Sequence, residues 1–277
     1  MNNISVLILT LNEEINIAPC LDTVSWSDDI IVFDSLSADR TVTIGTEKGA
    51  RIIQRPFDDW SSHHNWAVQN IQFKHPWVLY LDADERCPLE LAQDIQRFTS
   101  TDSGHAACRI RRKDFFMDVW LKHAQLYPTW LVRLFRPEKI HYERLVNPIA
   151  HVNGSVGEVQ AHIFHYPFSH GVAHWIDRHN RYSDMEAKEW MELRELNPLL
   201  FKPLFSADPN MRRKLLKELF SRLPARPLIK FVYYYLIRRG FIDGRAGFSY
   251  AMLQAFYEYM IQLKVSEIKR KSIGQPL

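Results

Sequence analysis

The amino-acid sequence predicts an α/β fold: a mixed, mainly parallel sheet flanked by helices, with a helical C-terminal extension. Three observations carry that prediction. Short apolar runs alternate with helix-like stretches over the first third of the chain, the pattern of a parallel sheet covered on both faces. The first of these runs is apolar or β-branched almost throughout, as a strand buried on both sides must be. Polar residues then cluster where the runs stop, and ligands of such sheets sit at the carboxyl ends of the strands.

The elements follow in order. Ile4–Thr10 (ISVLILT) is the first strand, and Asn12-Glu13-Glu14 opens a helix whose acidic start suits the helix dipole. Asp29–Phe33 (DIIVF) is the second strand; it runs into polar loop text, Asp34 to Thr41, that leads to another helix. Ala50–Gln54 (ARIIQ) is a third, short strand. Ser61–Ile71 is expected to be helical, with Trp66, Val68 and Ile71 towards the core. Trp77–Leu81 (WVLYL) is the fourth strand and stops at Asp82-Ala83-Asp84-Glu85. From Ala106 to about Phe168 the text turns to short strands and loops (ACRIRR, WLVRLF, AHIFHY). Beyond His170 it is helical, broken by Pro198, Pro203, Pro209, Pro224 and Pro227, and Arg238–Val265 is the last long stretch. A boundary near residue 200 divides the chain into residues 1–200 and residues 201–277.

Composition bounds the function classes. With 277 residues, 46% hydrophobic and 24% charged, the chain is neither disordered, collagenous nor a coiled coil. Charge is unevenly spread. Residues 1–200 carry 20 Lys and Arg against 27 Asp and Glu, whereas residues 201–277 carry 15 against 5. A basic tail on an acidic body suggests an anionic surface as partner. Cys20, Cys87 and Cys108 are too few and too scattered for a disulfide framework or a CxxC zinc motif, which points to a reducing compartment. The N-terminus lacks the basic region of a signal peptide, and no uncharged apolar stretch reaches the roughly 18 residues of a spanning helix. A cytoplasmic protein is expected, with membrane contact still open.

The polar strand ends are the most informative feature: Thr10 and Asn12, Asp34, Arg55, then Asp82 and Asp84. Two carboxylates at i and i+2 directly after an apolar run are costly unless solvated or paired. A hard divalent cation such as Mg²⁺ or Mn²⁺ would use them, because it takes oxygen ligands and bridges carboxylates to substrate phosphates. The alternative is a solvated turn.

ISVLILTLNEE, IIVFDSLSADRT, RPFDDWSSHHNWA and WVLYLDADER, in that order and spacing, resemble the family-2 inverting glycosyltransferases with the GT-A, Rossmann-like fold. Within them the chain is similar to the subgroup that builds bacterial lipopolysaccharide core and exopolysaccharide. The resemblance covers residues 1–170, and RRGFIDGRAGFSYAMLQAFYEYM resembles that subgroup's C-terminal region. It implies that Thr10, Leu11 and Asn12 line a nucleotide pocket and that Asp34 contacts the base of a UDP-type donor. Asp39 falls on a second, structural acidic position. Arg55 and Asn65 match polar positions flanking the donor. Asp82 and Asp84 match the family's D-x-D, with Asp84 as direct metal ligand and Asp82 nearer the ribose or metal waters. Arg133 in WLVRLFR matches an arginine near the acceptor or diphosphate; the alternative is a solvent-facing strand arginine.

One departure matters. Inverting transfer needs a base to deprotonate the acceptor hydroxyl. Related sequences usually place a glutamate after a Val-His or Val-Asn pair, and here Pro148 stands after Val146-Asn147. Glu143 or His141 is expected to substitute, with Glu158 further off.

His170-x3-His174 has the spacing of two zinc ligands on one helix face, but with no cysteine nearby, hydrogen-bonded or solvated histidines are expected there and at His162, His165 and His179. Leu228–Ile237 and Ala246–Ile261 mix aromatic and aliphatic residues among Arg226, Lys230, Arg238, Arg239 and Arg245. Such text suits an interfacial segment on anionic lipid, or an amphipathic helix packed on the catalytic domain. No nucleic-acid module is recognisable.

The expected protein is therefore a metal-dependent inverting hexosyltransferase. It would move a sugar such as glucose from a UDP-sugar to a hydroxyl of a lipid-linked or lipopolysaccharide glycan, with Mg²⁺ or Mn²⁺. It would sit on the inner face of the bacterial plasma membrane. A nucleotidyltransferase would open with a glycine-rich basic loop instead of Asn12-Glu13-Glu14. A donor-binding or scaffold homologue with impaired catalysis is the alternative that Pro148 supports.

Overall fold

The computed structural model describes residues 3–101, 104–143, 148–196, 223 and 225–276. They cluster into two compact units, Met1–Phe115 with Leu126–Ser169, and Phe116–Gln125 with His170–Leu277.

The first unit is built on a sheet ordered β3-β2-β1-β4-β8-β6-β11-β5. Its strands are β1 (Ile4–Thr10), β2 (Ile30–Asp34), β3 (Arg51–Gln54), β4 (Trp77–Asp82), β5 (Glu85–Arg86), β6 (His105–Phe116), β8 (Thr129–Phe135) and β11 (Ser155–His165). Strands β3, β2, β1 and β4 are parallel. Strand β8 runs antiparallel between β4 and β6, which restores the original direction in β6 and in β11 beside it. Between them in sequence lie β7 (Val119–Trp120), β9 (Ile140–Glu143) and β10 (Ile149–Val152), the last two forming an antiparallel hairpin of their own.

Every residue of β1 is buried, as its unbroken apolar text predicts. Alternation sends Val6 and Ile8 into the core under helices α1 (Glu14–Val24) and α4 (Leu89–Ser100), and Leu7 and Leu9 into the core under α3 (Trp60–Asn70). On α1, Ile17, Cys20, Leu21 and Val24 repeat at helical spacing on the buried face. Helix α2 (Thr41–Glu47) joins β2 to β3. Asp59 caps α3 by accepting from Ser62 N–H at 2.9 Å, and Ala67 and Ile71 are buried with Trp66 and Val68 packed against them. Strand β5 and helix α4, which the alternating pattern above does not anticipate, fill the segment after the D-x-D. The three cysteines are free and buried.

The second unit holds α5 (Gly171–Leu196), α6 (Arg226–Val232), a π turn (Tyr233–Ile237), a 3-10 turn (Gly240–Asp243) and α7 (Gly244–Ser272). Ala187 and Trp190 of α5 pack on Ile261 and Val265 of α7. The last long helix thus starts later and runs further than Arg238–Val265. Arg239 adopts a left-handed φ of 61°, and a Cβ on Gly247 would stand 2.0 Å from Gly240 O, so the chain must turn here before the helix begins. The expected boundary near residue 200 lies outside the described residues.

Candidate active site

Strand register brings the polar ends together. Thr10 lies beside Asp34, Asp34 beside Gln54, and Leu9 beside Asp82 at the carboxyl edge of the sheet. Asp34 is fully buried, and its carboxylate binds these neighbours: Oδ1 accepts from Thr10 Oγ1 at 3.0 Å and from Ser37 Oγ, while Oδ2 accepts from Gln54 Nε2 and Ser37 N, both at 2.9 Å. Asp34 therefore clamps three strand ends and the loop after β2.

The next loop is fastened in the same way. Asn12, in the left-handed region at φ 56°, donates its N–H to Ser37 Oγ and accepts from Ala38 N, both at 2.8 Å. Asp39 accepts from Glu14 N and from Thr41; although burial works against its charge, these donors hold its carboxyl below the usual carboxylate range. Leu11 stands exposed on the rim.

Arg55 grips Asp58 with both terminal nitrogens, at 2.9 and 2.6 Å, and lies 3.1 Å from His63 Nδ1. His63 also stacks on Phe33 at 4.2 Å and meets the Ser35 hydroxyl at 3.3 Å. Burial, reinforced by the Arg55 charge, lowers its pKa to about 4, so it is neutral. Asn65 spends its amide on β9, donating to Tyr142 O and accepting from Tyr142 N, each at 2.8 Å.

Arg133 is buried at the D-x-D, neither solvent-facing nor free. Its Nη2 donates to Asp82 Oδ2 at 2.6 Å and to Glu85 Oε1 at 2.8 Å, and its guanidinium lies 4.1 Å over the Tyr80 ring. Tyr80 donates its hydroxyl to Asp82 Oδ1 at 2.5 Å. Burial disfavours the Asp82 charge, yet Arg133 and Tyr80 together hold its carboxyl well below the usual range, and the side chain keeps 35% of its surface open. Burial pushes Glu85 up against the pull of Arg133.

Asp84 faces His165, whose Nε2 lies 3.3 Å from Asp84 Oδ2 and whose Nδ1 is bound to Asp114 Oδ1 at 2.5 Å. Register explains the second contact, since His165 pairs with Asp114 across β11 and β6. Burial works against the imidazolium, but Asp84 and Asp114 outweigh it and raise the pKa to about 9. His165 is the member of this edge that a reading of single segments does not find. Its partner carboxylate is remote in sequence, and the antiparallel pairing of β11 with β5, which sets His165 opposite Glu85, puts it beside the D-x-D. Asp84 and the His165 imidazole, once it has given up its proton, are donors that a divalent cation accepts.

The expected bases lie elsewhere. On β9, Ile140 and Tyr142 are buried while His141 and Glu143 are exposed. Tyr142 turns towards His64, 4.7 Å between rings, and feels the charges of Arg133 and Asp82. Alternation sends His141 and Glu143 to the opposite, solvent side. Glu158 pairs with Arg109 and His165 with Asp114, five residues further along β6 and so roughly 17 Å away, and the Glu158 carboxylate lies 2.6 Å from Arg109. Residues 144–147, next to Pro148, lie outside the described residues.

An open α/β sheet with an acidic carboxyl edge defines a protein that holds its ligand outside the ends of parallel strands. The family model for glycosyl transferase family 2 matches residues 5–163, and the chain belongs to that family, with the GT-A fold. It is similar to an uncharacterized glycosyltransferase of Rickettsia typhi, 23% identical over 98% of this chain and 89% of that protein. It is also similar to the lipopolysaccharide core biosynthesis glycosyltransferase LpsC of Rhizobium meliloti, 22% identical over 95% and 91%. Among solved structures, S. aureus TarS is 12% identical over 91% of this chain and 55% of that one, with a TM-score of 0.42. A glucosyl-3-phosphoglycerate synthase from Mycobacterium tuberculosis, in complex with Mn²⁺, UDP and glucosyl-3-phosphoglycerate, is 25% identical over 40% and 43%, with a TM-score of 0.33. The match spans little more than half, or less, of these two solved chains.

Proposed function

We propose that the protein transfers a hexosyl group, with inversion, from a UDP-sugar to a hydroxyl of a lipid-linked or lipopolysaccharide glycan. The observation that carries this reading is the contact of Asp84 with His165 directly after β4, on the sheet edge that also carries the loops built from Asn12, Ser37 and Asp39. Asp84 and His165 would hold Mg²⁺ or Mn²⁺; an imidazole among oxygen donors favours Mn²⁺. When bound, the cation offsets the charge that develops on the diphosphate leaving group. Asp82, fastened by Arg133 and Tyr80, presents its open surface to the ribose or to water on the metal. Thr10 and Asp34 shape the floor of the nucleotide pocket, Leu11 and Asn12 its rim, and Arg55 and Asn65 support the flanking elements.

Similarity over nearly the full length of a lipopolysaccharide core transferase supports the glycan acceptor. For the base, the geometry favours none of Glu143, His141 and Glu158, and the proposal gives them no such role. That observation, with Pro148 in the place of the family's glutamate, favours a second reading in which the donor binds without efficient transfer. The second unit is proposed to lie on anionic lipid at the cytoplasmic membrane face, bringing the enzyme to its acceptor.

Calorimetric titration of UDP, with and without Mn²⁺, tests the site. Binding that strengthens with the metal is expected; binding indifferent to it removes Asp84 and His165 from the donor site. Glycosyl transfer or slow donor hydrolysis in the loaded protein separates the first reading from the second.

A further inference from the structure

The β9–β10 hairpin carries a second constellation that glycosyl transfer leaves unused. His141 and His151 stand directly opposite each other across the two strands, and Glu143 follows His141 by two residues on the same face. Their rings are nearly parallel, 15° apart with centroids at 5.0 Å. Both aim Nε2 at one carboxylate: His141 lies 3.5 Å from Glu143 Oε1, and His151 lies 3.2 Å from Oε2. One ligand atom from each of the three falls within 4.8 Å of the others.

We propose that His141, Glu143 and His151 form a surface site for a borderline first-row divalent cation, best matched by Zn²⁺. Two imidazoles and a carboxylate are a recurrent zinc set, which leaves a fourth position for water or an anion. Donors at tetrahedral zinc, with bonds of about 2.1 Å, stand roughly 3.4 Å apart. Each imidazole nitrogen stands near that spacing from a different oxygen of Glu143, so the three ligand atoms, now within 4.8 Å of one another, would draw in on the ion through side-chain rotation. The strands set this geometry, since cross-strand pairing places the imidazoles and the two-residue period places the carboxylate. Side-chain exposures of 58% for His141, 61% for Glu143 and 43% for His151 leave the ion a path in. A bound ion would tie β9 to β10 at the base of the connection formed by residues 144–148. The site faces away from Tyr142 and the D-x-D edge, so it would fill independently of the donor.

The test uses metal-stripped full-length protein in an Asp84→Ala background, which removes the D-x-D site. Calorimetry with Zn²⁺ should show one equivalent bound, and Co²⁺ should give the visible absorption of a tetrahedral nitrogen–oxygen site. Adding His151→Ala or His141→Ala should abolish the Co²⁺ band and weaken Zn²⁺ more than about tenfold, since loss even of an outer-shell partner costs about 10–100-fold. Circular dichroism checks that both variants are folded, which their exposed positions predict. Unchanged stoichiometry and affinity in both variants would overturn the site. So would a zinc equivalent that disappears with His174→Ala instead, because the ion would then belong to the His170–His174 pair.

Discussion

Arg133 Nη2 stands 2.6 Å from an oxygen of Asp82 and carries that carboxylate on a buried guanidinium. The same nitrogen serves Glu85 at 2.8 Å, so one cation offsets two acids at the end of β4. The first acid of the D-x-D is thereby kept charged and held in place from below. Its second oxygen is bound by Tyr80.

Replacing Arg133 by methionine keeps much of the volume and removes the charge. Glu85, fully buried, would retain Asp82 N–H at 3.1 Å and a distant Arg112 at 3.9 Å. Loss of one partner from a buried pair costs about 3–5 kcal/mol, and Arg133→Met should show that loss in urea denaturation. Tyr80→Phe, which removes a single hydrogen bond to the charged Asp82, should cost less, about 1.5–3 kcal/mol. Equal stability of Arg133→Met and wild type would mean that the two acids are not held by this residue.

Asp84 and His165 should act as one unit towards the metal. Asp84→Ala and His165→Ala should each abolish the Mn²⁺-dependent part of UDP affinity, and the double variant should lose no more than either alone. Neither should unfold the protein, because both side chains lie at the sheet's edge, outside the two apolar clusters. Wild-type enhancement by Mn²⁺ in His165→Ala would remove the imidazole from the donor set.

His63 gives the protein an acid-labile element. Its folded pKa of about 4 lies below the ordinary value of 6.5, so between these limits the unfolded chain binds the extra proton. Stability from neutral His63 is fully present above pH 6.5 and is lost as the pH falls through 4. The loss is at most about 3 kcal/mol from this group. Urea midpoints measured from pH 7 to 4 should therefore fall less steeply in His63→Gln than in wild type. Parallel slopes would show that His63 protonates without cost.

Much of this site was legible in single segments, because each segment carries its own signal. The apolar text of β1 and β4 and the polar residues after them place the carboxyl edge correctly. The partners were not legible. Asp34 presents a loop-like text, yet register gives both its oxygens to Thr10, Gln54 and Ser37. His165 reaches Asp84 because β11 pairs antiparallel with β5, the two-residue strand directly after the D-x-D, with His165 opposite Glu85. For Glu143 and His141 the signal was present: Ile140 and Tyr142 alternate with them at the period of a strand, which sends the two polar residues outward.

The second unit offers the last prediction. Phe248, Met252, Phe256, Tyr259 and Leu263 are exposed along one side of α7, at spacings of three and four residues, while Ala251, Ala255, Ile261 and Val265 are buried on another. Leu236, Ile237, Phe241 and Ile242 extend this apolar surface at the turns before the helix. An apolar side of this kind suits the membrane interface, and no described helix is long and apolar enough to cross a membrane. The basic residues divide. Arg226 is buried over Trp190 at 4.1 Å, and with Lys230 it faces Glu258, so neither is directed to lipid as the sequence suggests. Arg239 and Arg245 are exposed near Ile237 and Phe241 in the chain and are the residues expected to attract anionic headgroups. Full-length protein should therefore sediment with vesicles containing anionic lipid and release as salt rises, since surface charges are screened within about 10 Å at 0.1 M. Ile237→Asp with Phe241→Asp should lose that binding at unchanged melting temperature, because these side chains are 68% and 50% exposed and add little to the core. Undiminished sedimentation of the double variant would assign the apolar surface to another partner.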